Sequence, residues 1–282
     1  TDPRFVLAHS GLADAYITLA VYGAGRADTL LAQARESAER ALLMAPTLAE
    51  ALTARASVRA LLDHDWDGAE RDYVQALTIR EQYATAHQWY AMHLLAPRGR
   101  FAEARARIAR ARELDPLSAP IATSAAILRM YERDHVQAVA EFRLVIAQHP
   151  AFHLAHYALG GSLSALGEHA EALDALRRAA LLSGESPEVL SALACALAAA
   201  GNPDEAQALL VRLERTAVER YVSPVLLAQV HAVLGESVRA LDELERAAAM
   251  KSVEMPHLHL RAPFDALRDE PRFRALVASV LG

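Results

Sequence analysis

Apolar residues recur along this chain at a long fixed period. Alanine stands at seven places spaced 34 or 35 residues apart, and each is followed by apolar residues four and seven positions later. Such spacings put side chains on one face of an α-helix. The three series are Ala34, Ala69, Ala104, Ala138, Ala172, Ala206 and Ala240; Ala38, Tyr73, Ile108, Phe142, Leu176, Leu210 and Leu244; and Ala41, Ala76, Ala111, Val145, Ala179, Leu213 and Ala247. The pattern predicts a helix repeated seven times with one buried face.

Each of these helices follows another helical pattern, as in residues 49–62, 153–166 and 187–200, so the predicted unit is a helical hairpin. Glycine tolerates the left-handed conformation that ends a helix, and proline cannot continue one. The predicted ends of first helices are Gly99, Gly167, Gly201 and Gly235, and the predicted stops after second helices are Pro46, Pro116 and Pro150. Ser186-Pro187 and Ser223-Pro224 predict serine caps followed by proline at the first helical position.

Composition narrows the function classes. The 282 residues are 53% hydrophobic but only 6% aromatic, which favours an all-α protein of closely packed helices. A net charge of -6 gives no general attraction for nucleic acid or anionic membrane. Cys195 is the sole cysteine, so an internal disulfide is impossible and a reducing compartment is the simplest fit. We therefore expect a cytoplasmic protein with no direct binding to nucleic acid or membrane.

A 34-residue helical hairpin with small residues at its eighth, twentieth and twenty-seventh positions, and proline at its thirty-second, resembles the tetratricopeptide repeat. The eighth-position residues are Ala13, Ala56, Ala91, Ala126, Gly160, Ala194 and Ala228. The resemblance implies an all-α, right-handed superhelical solenoid of about seven hairpins. Its expected repeats span 4–45, 48–80, 83–115, 117–149, 151–183, 187–217 and 222–250 within an array over 1–250, and residues 251–282 form a connector and a capping helix pair at 263–268 and 271–280.

The opening FVLAHSGLADAY, the stretch YATAHQWYAMHL and the capped ending also resemble the C-terminal tetratricopeptide half of multidomain bacterial regulators. In that group a winged-helix, cyclase or kinase module precedes the array. Because the chain begins abruptly at Thr1, we expect it to be an excised part of such a protein.

Residues 63–68, DHDWDG, match the first half of an EF-hand calcium loop. A complete loop needs a glutamate at its twelfth position, where this chain has Val74. The repeat also requires a helix to begin near Asp67, so we interpret the segment as the turn inside the second hairpin. Asp65 or Asp67 is the predicted cap of that helix.

Other candidate chemistry is weaker. His149, His153 and His156 have spacings of four and three, but Pro150 interrupts the helix, so packing is favoured over a zinc site. Cys195 has no neighbouring histidine in sequence, and we predict no catalytic residue, metal site or cofactor. Two further histidines, His257 and His259, alternate in the connector, where exposure to solvent is expected.

The resemblance implies that the first helices line an inner groove through the fifth and ninth repeat positions. The candidate groove residues are Asp14, Thr53, Ser57, Gln88, Met92, Thr123, Ile127, Tyr157, Ser191, Cys195 and Gln229. They are mostly small and uncharged, so a neutral peptide or helix is the expected ligand. The alternative at each position is that a small residue merely lets adjacent hairpins pack.

A peptide with an acidic C-terminus is disfavoured as the ligand. Chaperone-binding members of the family grip a terminal carboxylate with lysine, asparagine and arginine, but Lys251 is the only lysine here and Asn202 the only asparagine. We therefore predict a non-catalytic interaction domain of a bacterial regulator that binds a protein, a peptide or another domain of its own chain. The alternative is a structural array that self-associates, for example as a homodimer.

Overall fold

The computed structural model describes residues 3–282, with side chains from Phe5 onward, so Thr1 and the abrupt start lie outside the described residues. The described residues form helices and turns, and no strand occurs among them. The predicted all-α class is confirmed. The helices are α1 (Pro3–Val21), α2 (Ala27–Met44), α3 (Ala49–Val58), α4 (Trp66–Ile79), α5 (Ala84–Trp89), α6 (Phe101–Leu114), α7 (Ala119–Tyr131), α8 (His135–Gln148), α9 (His153–Ala165), α10 (His169–Ser183), α11 (Pro187–Ala199), α12 (Pro203–Glu219), α13 (Pro224–Val233), α14 (Ser237–Ala249) and α15 (Pro271–Leu281).

Shorter helical turns complete the fold. π-helical turns at Arg59–Asp63 and Tyr90–Leu95 continue α3 and α5, and 3₁₀ turns lie at Met255–Leu260 and Ala262–Leu267. Helices pack as adjacent pairs, namely α1 with α2, α3 with α4, α5 with α6, α7 with α8, α9 with α10, and α11 with α12. These pairs are helical hairpins of the predicted kind.

The chain divides into two compact units. Unit 1 comprises the residues up to Pro116 together with 249–257 and 280–282, and unit 2 comprises residues 117–248 and 258–279. In each unit the first helices of successive hairpins also contact one another: α1 with α3 and α3 with α5 in unit 1, and α7 with α9, α9 with α11 and α11 with α13 in unit 2. The division into seven repeats at the boundaries given above stays a prediction.

The periodic residues form the core. Every side chain of the three series that recur at 34 or 35 residues is at most 4% exposed. The eighth-position alanines are fully buried as well, and Gly160 is buried with them. The predicted buried face of the second helices is therefore confirmed. Small residues at these positions allow close approach of the helices, while Tyr73 and Phe142 fill the space between.

A left-handed residue follows six of the helices, α3, α5, α7, α9, α11 and α13, at the same repeat position. Four of the six are the predicted glycines, and the other two are His64 and Arg133. The φ angles are 55° at His64, 69° at Gly99, 67° at Arg133, 80° at Gly167, 82° at Gly201 and 80° at Gly235. The repeat therefore imposes this conformation even where the sequence does not supply glycine, at a cost of roughly 1–2 kcal/mol per non-glycine residue.

Helix ends follow most of the predicted caps. The Asp65 carboxylate accepts a hydrogen bond of 2.9 Å from the backbone N–H of Gly68, so the second hairpin is capped as expected. The Ser186 hydroxyl likewise accepts from the N–H of Val189. The prediction for Ser223 is wrong in part: it stands at the start of α13, but its buried hydroxyl makes no capping hydrogen bond.

The C-terminal segment contains the two predicted short helices, as the 3₁₀ turn at Ala262–Leu267 and as α15. The connector before them is not exposed as expected. Ser252, Met255 and Leu258 are at most 2% exposed, and His257 and His259 are partly buried. Residues 249–257 pack within unit 1, where His257 contacts Met92. Residues 258–279 pack within unit 2, where Arg261 contacts Gln229.

Candidate peptide-binding surface

The first-helix face of unit 1, defined as the side formed by α1, α3 and α5 with their π turns, carries five candidate residues. Thr53 and Ser57 are fully buried, whereas Asp14, Gln88 and Met92 are partly exposed. The Thr53 hydroxyl donates to the Ala49 carbonyl within its own helix at 2.8 Å. The Thr53 hydroxyl is therefore already hydrogen-bonded within its own helix.

Ser57 joins neighbouring helices. Its hydroxyl lies 2.8 Å from the Tyr73 hydroxyl on α4 and 3.2 Å from Nδ1 of His93 in the π turn that follows α5. Burial lowers the pKa of His93 to about 3, with a smaller effect of His257, so the imidazole is neutral at pH 7. At Ser57 the contacts thus match the alternative in which a small polar residue serves packing between hairpins.

Asp14 is the acidic residue among the five candidates on this face. One of its carboxylate oxygens is buried without a hydrogen-bond partner. Burial raises the pKa of Asp14 to about 7, and the charge of Glu50 contributes to that rise. This carboxyl group is therefore poised to change its charge near neutral pH.

The most buried carboxylate of the second hairpin belongs to Asp72 on α4. The Asp72 side chain is 5% exposed and accepts hydrogen bonds of 2.8 Å from both Arg55 and Arg59. The sequence shows only that arginine replaces the leucine usual for the repeat at position 55. It does not identify the partner, because Asp72 lies on the other helix of the hairpin.

The connector lies on the first-helix face of unit 1. Nε2 of His257 is 2.9 Å from the carbonyl oxygen of Met92, a candidate groove residue. Val253 packs into the apolar cluster that includes Val58 and Leu61. The part of the connector that belongs to unit 1 thus covers some of the surface that was predicted to receive a ligand.

The first-helix face of unit 2, formed by α7, α9, α11 and α13, carries the other six candidates. Thr123, Ser191 and Gln229 are at most 3% exposed. Ile127, Tyr157 and Cys195 are partly exposed. The buried Thr123 hydroxyl has no hydrogen-bond partner.

A chain of polar contacts connects this face with the connector. Nη1 of Arg261 donates to Oε1 of Gln229 at 3.0 Å, and Nε2 of Gln229 donates to the Ser191 hydroxyl at 2.7 Å. The Ser191 hydroxyl donates in turn to the carbonyl of Leu226 at 2.5 Å. Two candidates from different hairpins are therefore brought together, and Arg261, which sequence reasoning missed, completes the arrangement.

The charge of Arg261 acts on both the Tyr157 hydroxyl and the Cys195 thiol of this face. Burial raises the pKa of Tyr157 above its usual value, and burial raises the pKa of Cys195 to about 12, while the charge of Arg261 opposes both shifts. Burial likewise raises the pKa of Tyr131 on α7. The thiol is consequently protonated and a poor nucleophile at neutral pH.

The candidate histidines have structural contacts. Nε2 of His156 lies 3.0 Å from the carbonyl oxygen of Pro150, and Nε2 of His87, at the equivalent repeat position, lies 2.8 Å from that of Glu81. No cluster of three or more potential metal-ligating side chains occurs within the described part of the chain. Within residues 3–282, none of the helices combines the length and hydropathy needed to cross a membrane.

Comparisons with known proteins give the fold. No family model and no curated protein sequence matches the chain. Among solved structures, a tetratricopeptide repeat protein from Parabacteroides merdae has a TM-score of 0.60 at 14% identity, covering 97% of this chain and 99% of its own. PilF of Pseudomonas aeruginosa has a TM-score of 0.53 at 20% identity, with 74% and 93% covered.

PilW, described as a type IV pilus biogenesis factor, has a TM-score of 0.58 at 22% identity, covering 77% of this chain and 97% of its own. The TM-scores show a shared fold, and at these low identities the likeness is one of fold alone. The tetratricopeptide-repeat resemblance seen in the sequence is therefore confirmed as an all-α array of helical hairpins.

Proposed function

We propose that this chain is a non-catalytic protein–protein interaction domain whose first-helix faces bind a protein or an extended peptide segment. The observation that carries the proposal is the contact between the first-helix face of unit 2 and a non-repeat segment of the same chain. Arg261 of that segment is bound through Gln229 and Ser191, two of the candidate groove residues. The face thus has the polar groups needed to hold an irregular segment by its side chains.

The fold supports the same class of function. Hairpin arrays present long rows of helices that other chains can contact. The proposal places the domain in a larger bacterial, cytoplasmic regulator, as the sequence resemblance implies. It also includes the absence of catalysis, which is consistent with a protonated, partly buried thiol at Cys195.

Site-specific cross-linking tests this proposal. A photoreactive amino acid is placed singly at Gln88 or Ile127, one on each first-helix face, in cells that carry the natural gene. Matched control sites are Leu144 on α8 and Leu181 on α10, whose side chains are 66% and 75% exposed. We expect a discrete cross-linked partner band at Gln88 or Ile127 and not at the controls. Cross-links confined to the control sites, or to none of the four, would contradict the assignment of these faces.

The alternative function is self-association without a peptide ligand. Exposed apolar side chains on second helices, including Leu144, Leu181 and Val218, give it some support. Light scattering at high protein concentration separates the two functions. A strictly monomeric chain contradicts self-association, and a stable dimer that cross-links at Leu144 or Leu181 and not at Gln88 or Ile127 favours it.

A further inference from the structure

In the contact between the connector and the first-helix face of unit 2, each hydrogen bond has a defined donor and acceptor. Arg261 donates to the Gln229 amide oxygen, the Gln229 amide nitrogen donates to Ser191, and Ser191 donates to the carbonyl of Leu226. Because the last acceptor is a backbone carbonyl, the orientation of the whole series is fixed. The open end of the Gln229 amide is therefore an acceptor, and only a hydrogen-bond donor satisfies it.

Charge and shape favour arginine as that donor. Glu188, in the first turn of α11, and Arg261 act electrostatically on the same pair of tyrosines, Tyr131 and Tyr157. A guanidinium group offers several N–H donors in a plane and loses less hydration than an ammonium group when it enters such a partly buried site. The acceptor at Gln229, with the Glu188 carboxylate on the same helix as Ser191, thus suits an arginine side chain.

The segment that supplies Arg261 also inserts an aromatic residue. Phe264, three residues further along, is 1% exposed and lies 6.0 Å from the ring of Phe273 between ring centroids. The 3₁₀ turn at Ala262–Leu267 contacts α13, the helix that carries Gln229. The segment therefore meets unit 2 through Arg261 at Gln229 and through its 3₁₀ turn at α13, and the turn carries a buried phenylalanine three residues after the arginine.

Some buried polar atoms of unit 2 have no hydrogen-bond partner, and one of them belongs to the resident segment. The buried Ser223 hydroxyl at the start of α13 and the buried Nδ1 of His259 in the connector have no hydrogen-bond partner. The buried Thr123 hydroxyl on α7 lacks one too. Each such atom gives up its bonds to water without gaining a bond in the fold. Of these three atoms only Nδ1 of His259 lies within residues 258–267, so opening of the segment would return that nitrogen to water.

We propose that the first-helix face of unit 2 is an arginine-selective peptide site whose resident ligand is residues 258–267 of the same chain. An external segment with an arginine followed three residues later by an aromatic side chain binds there by displacing the resident one. This inference rests on the proposed function and names its ligand class. The resident segment lowers the apparent affinity for the external one by the fraction of molecules in which the face is open.

A peptide-binding experiment tests the proposal. The probe is a fluorescent synthetic peptide with the sequence of residues 258–267, LHLRAPFDAL, titrated into the intact chain and followed by anisotropy. The variants are Arg261→Ala, which weakens the resident ligand, and Arg268→Ala, a matched control just after the segment, whose partner is the exposed Asp265. We expect the peptide to bind Arg261→Ala at least tenfold more tightly than it binds the wild type or Arg268→Ala. The same peptide with alanine in place of its arginine should bind none of them.

The single cysteine gives an independent readout. The proposal implies that opening of the connector increases access to the partly exposed Cys195 thiol, and this gain in access has to exceed the rise in thiol pKa that follows when the charge of Arg261 is removed. We expect a thiol-specific reagent to label Arg261→Ala at least tenfold faster than Arg268→Ala, and excess LHLRAPFDAL peptide to slow that labelling. Arg261→Lys, which keeps the charge but loses the planar fork, should give intermediate values in both assays.

Equal peptide affinity and equal labelling rates for Arg261→Ala and Arg268→Ala would overturn the proposal, as would undiminished binding of the arginine-free peptide. An Arg261→Ala chain that loses its helical circular dichroism also overturns it, because a replaceable ligand is not required for folding. Failure here leaves cross-linking at Gln88 and Ile127 unaffected, so the two proposals fail separately.

Discussion

The second hairpin, α3 with α4, and the fifth, α9 with α10, share one repeat frame but fill the space between their helices with opposite chemistry. In the second hairpin the interface is polar, whereas in the fifth it is apolar. Equivalent positions in the frame are Arg55 and Leu159, Ser57 and Gly161, Arg59 and Leu163, Asp72 and Ala175, and Tyr73 and Leu176.

The difference shows which positions the frame restricts. Both hairpins keep a small buried residue where the helices cross, Ala56 in the second and Gly160 in the fifth. The other positions accept polar side chains, including the carboxylate of Asp72, which is held by Arg55 and Arg59. Close approach therefore defines the repeat, and the chemistry beside it is free to vary.

The largest expected effect is in the polar hairpin. Asp72→Ala leaves Arg55 and Arg59, whose side chains are only 27% and 31% exposed, without their shared carboxylate. We expect a loss of about 2–4 kcal/mol in the free energy of unfolding, measured by urea denaturation. The control is Asp174→Ala in the apolar hairpin, where the carboxylate is 80% exposed and the change should stay below about 0.5 kcal/mol. Similar losses in both variants would show that the bonds of Asp72 to Arg55 and Arg59 stabilise the fold no more than an exposed ion pair does.

The next effect tests close approach in the apolar hairpin. A Cβ added at Gly160 would lie 2.5 Å from Cγ of Leu176 and 3.1 Å from the carbonyl oxygen of Ala172, so Gly160→Ala should cost about 1–3 kcal/mol. The neighbouring Gly161→Ala meets nothing within 4 Å and should gain roughly 0.5–1 kcal/mol from helix propensity. Thermal unfolding of the two variants should therefore shift in opposite directions. Shifts in the same direction would mean that the crossing tolerates a methyl group.

The smallest effect concerns the turns of the same two hairpins. His64 and Gly167 occupy one repeat position with φ of 55° and 80°. We expect His64→Gly to stabilise the chain by up to about 1 kcal/mol, since glycine relieves the left-handed conformation and the stacking of His64 on Trp66 is modest. Gly167→Ala should cost about 1 kcal/mol, although its Cβ would meet no atom within 4 Å. Equal and negligible changes in midpoint urea concentration would show that this turn carries no backbone strain.

The candidate site was harder to predict than the fold. Ser57 and Ser191 were identified from their repeat positions, yet their partners lie 16 and 35 or more residues away along the chain. A sequence pattern shows which helix face a residue occupies, but it does not show whether the side chain meets solvent or a neighbouring hairpin. For the same reason the Asp14 carboxyl group was selected without any sign that its pKa is raised.

By itself the sequence determined the hairpin, its period, its buried face and most of its caps, because these features follow from side-chain spacing within single helices and from the local chemistry of glycine, proline and aspartate. Only the tertiary structure decided that His64 and Arg133 adopt the glycine conformation and where the connector lies. The contacts that place the connector join Arg261 to Gln229 and His257 to Met92, 32 and 165 residues apart. Such contacts depend on the packed positions of whole helices, which no local pattern records.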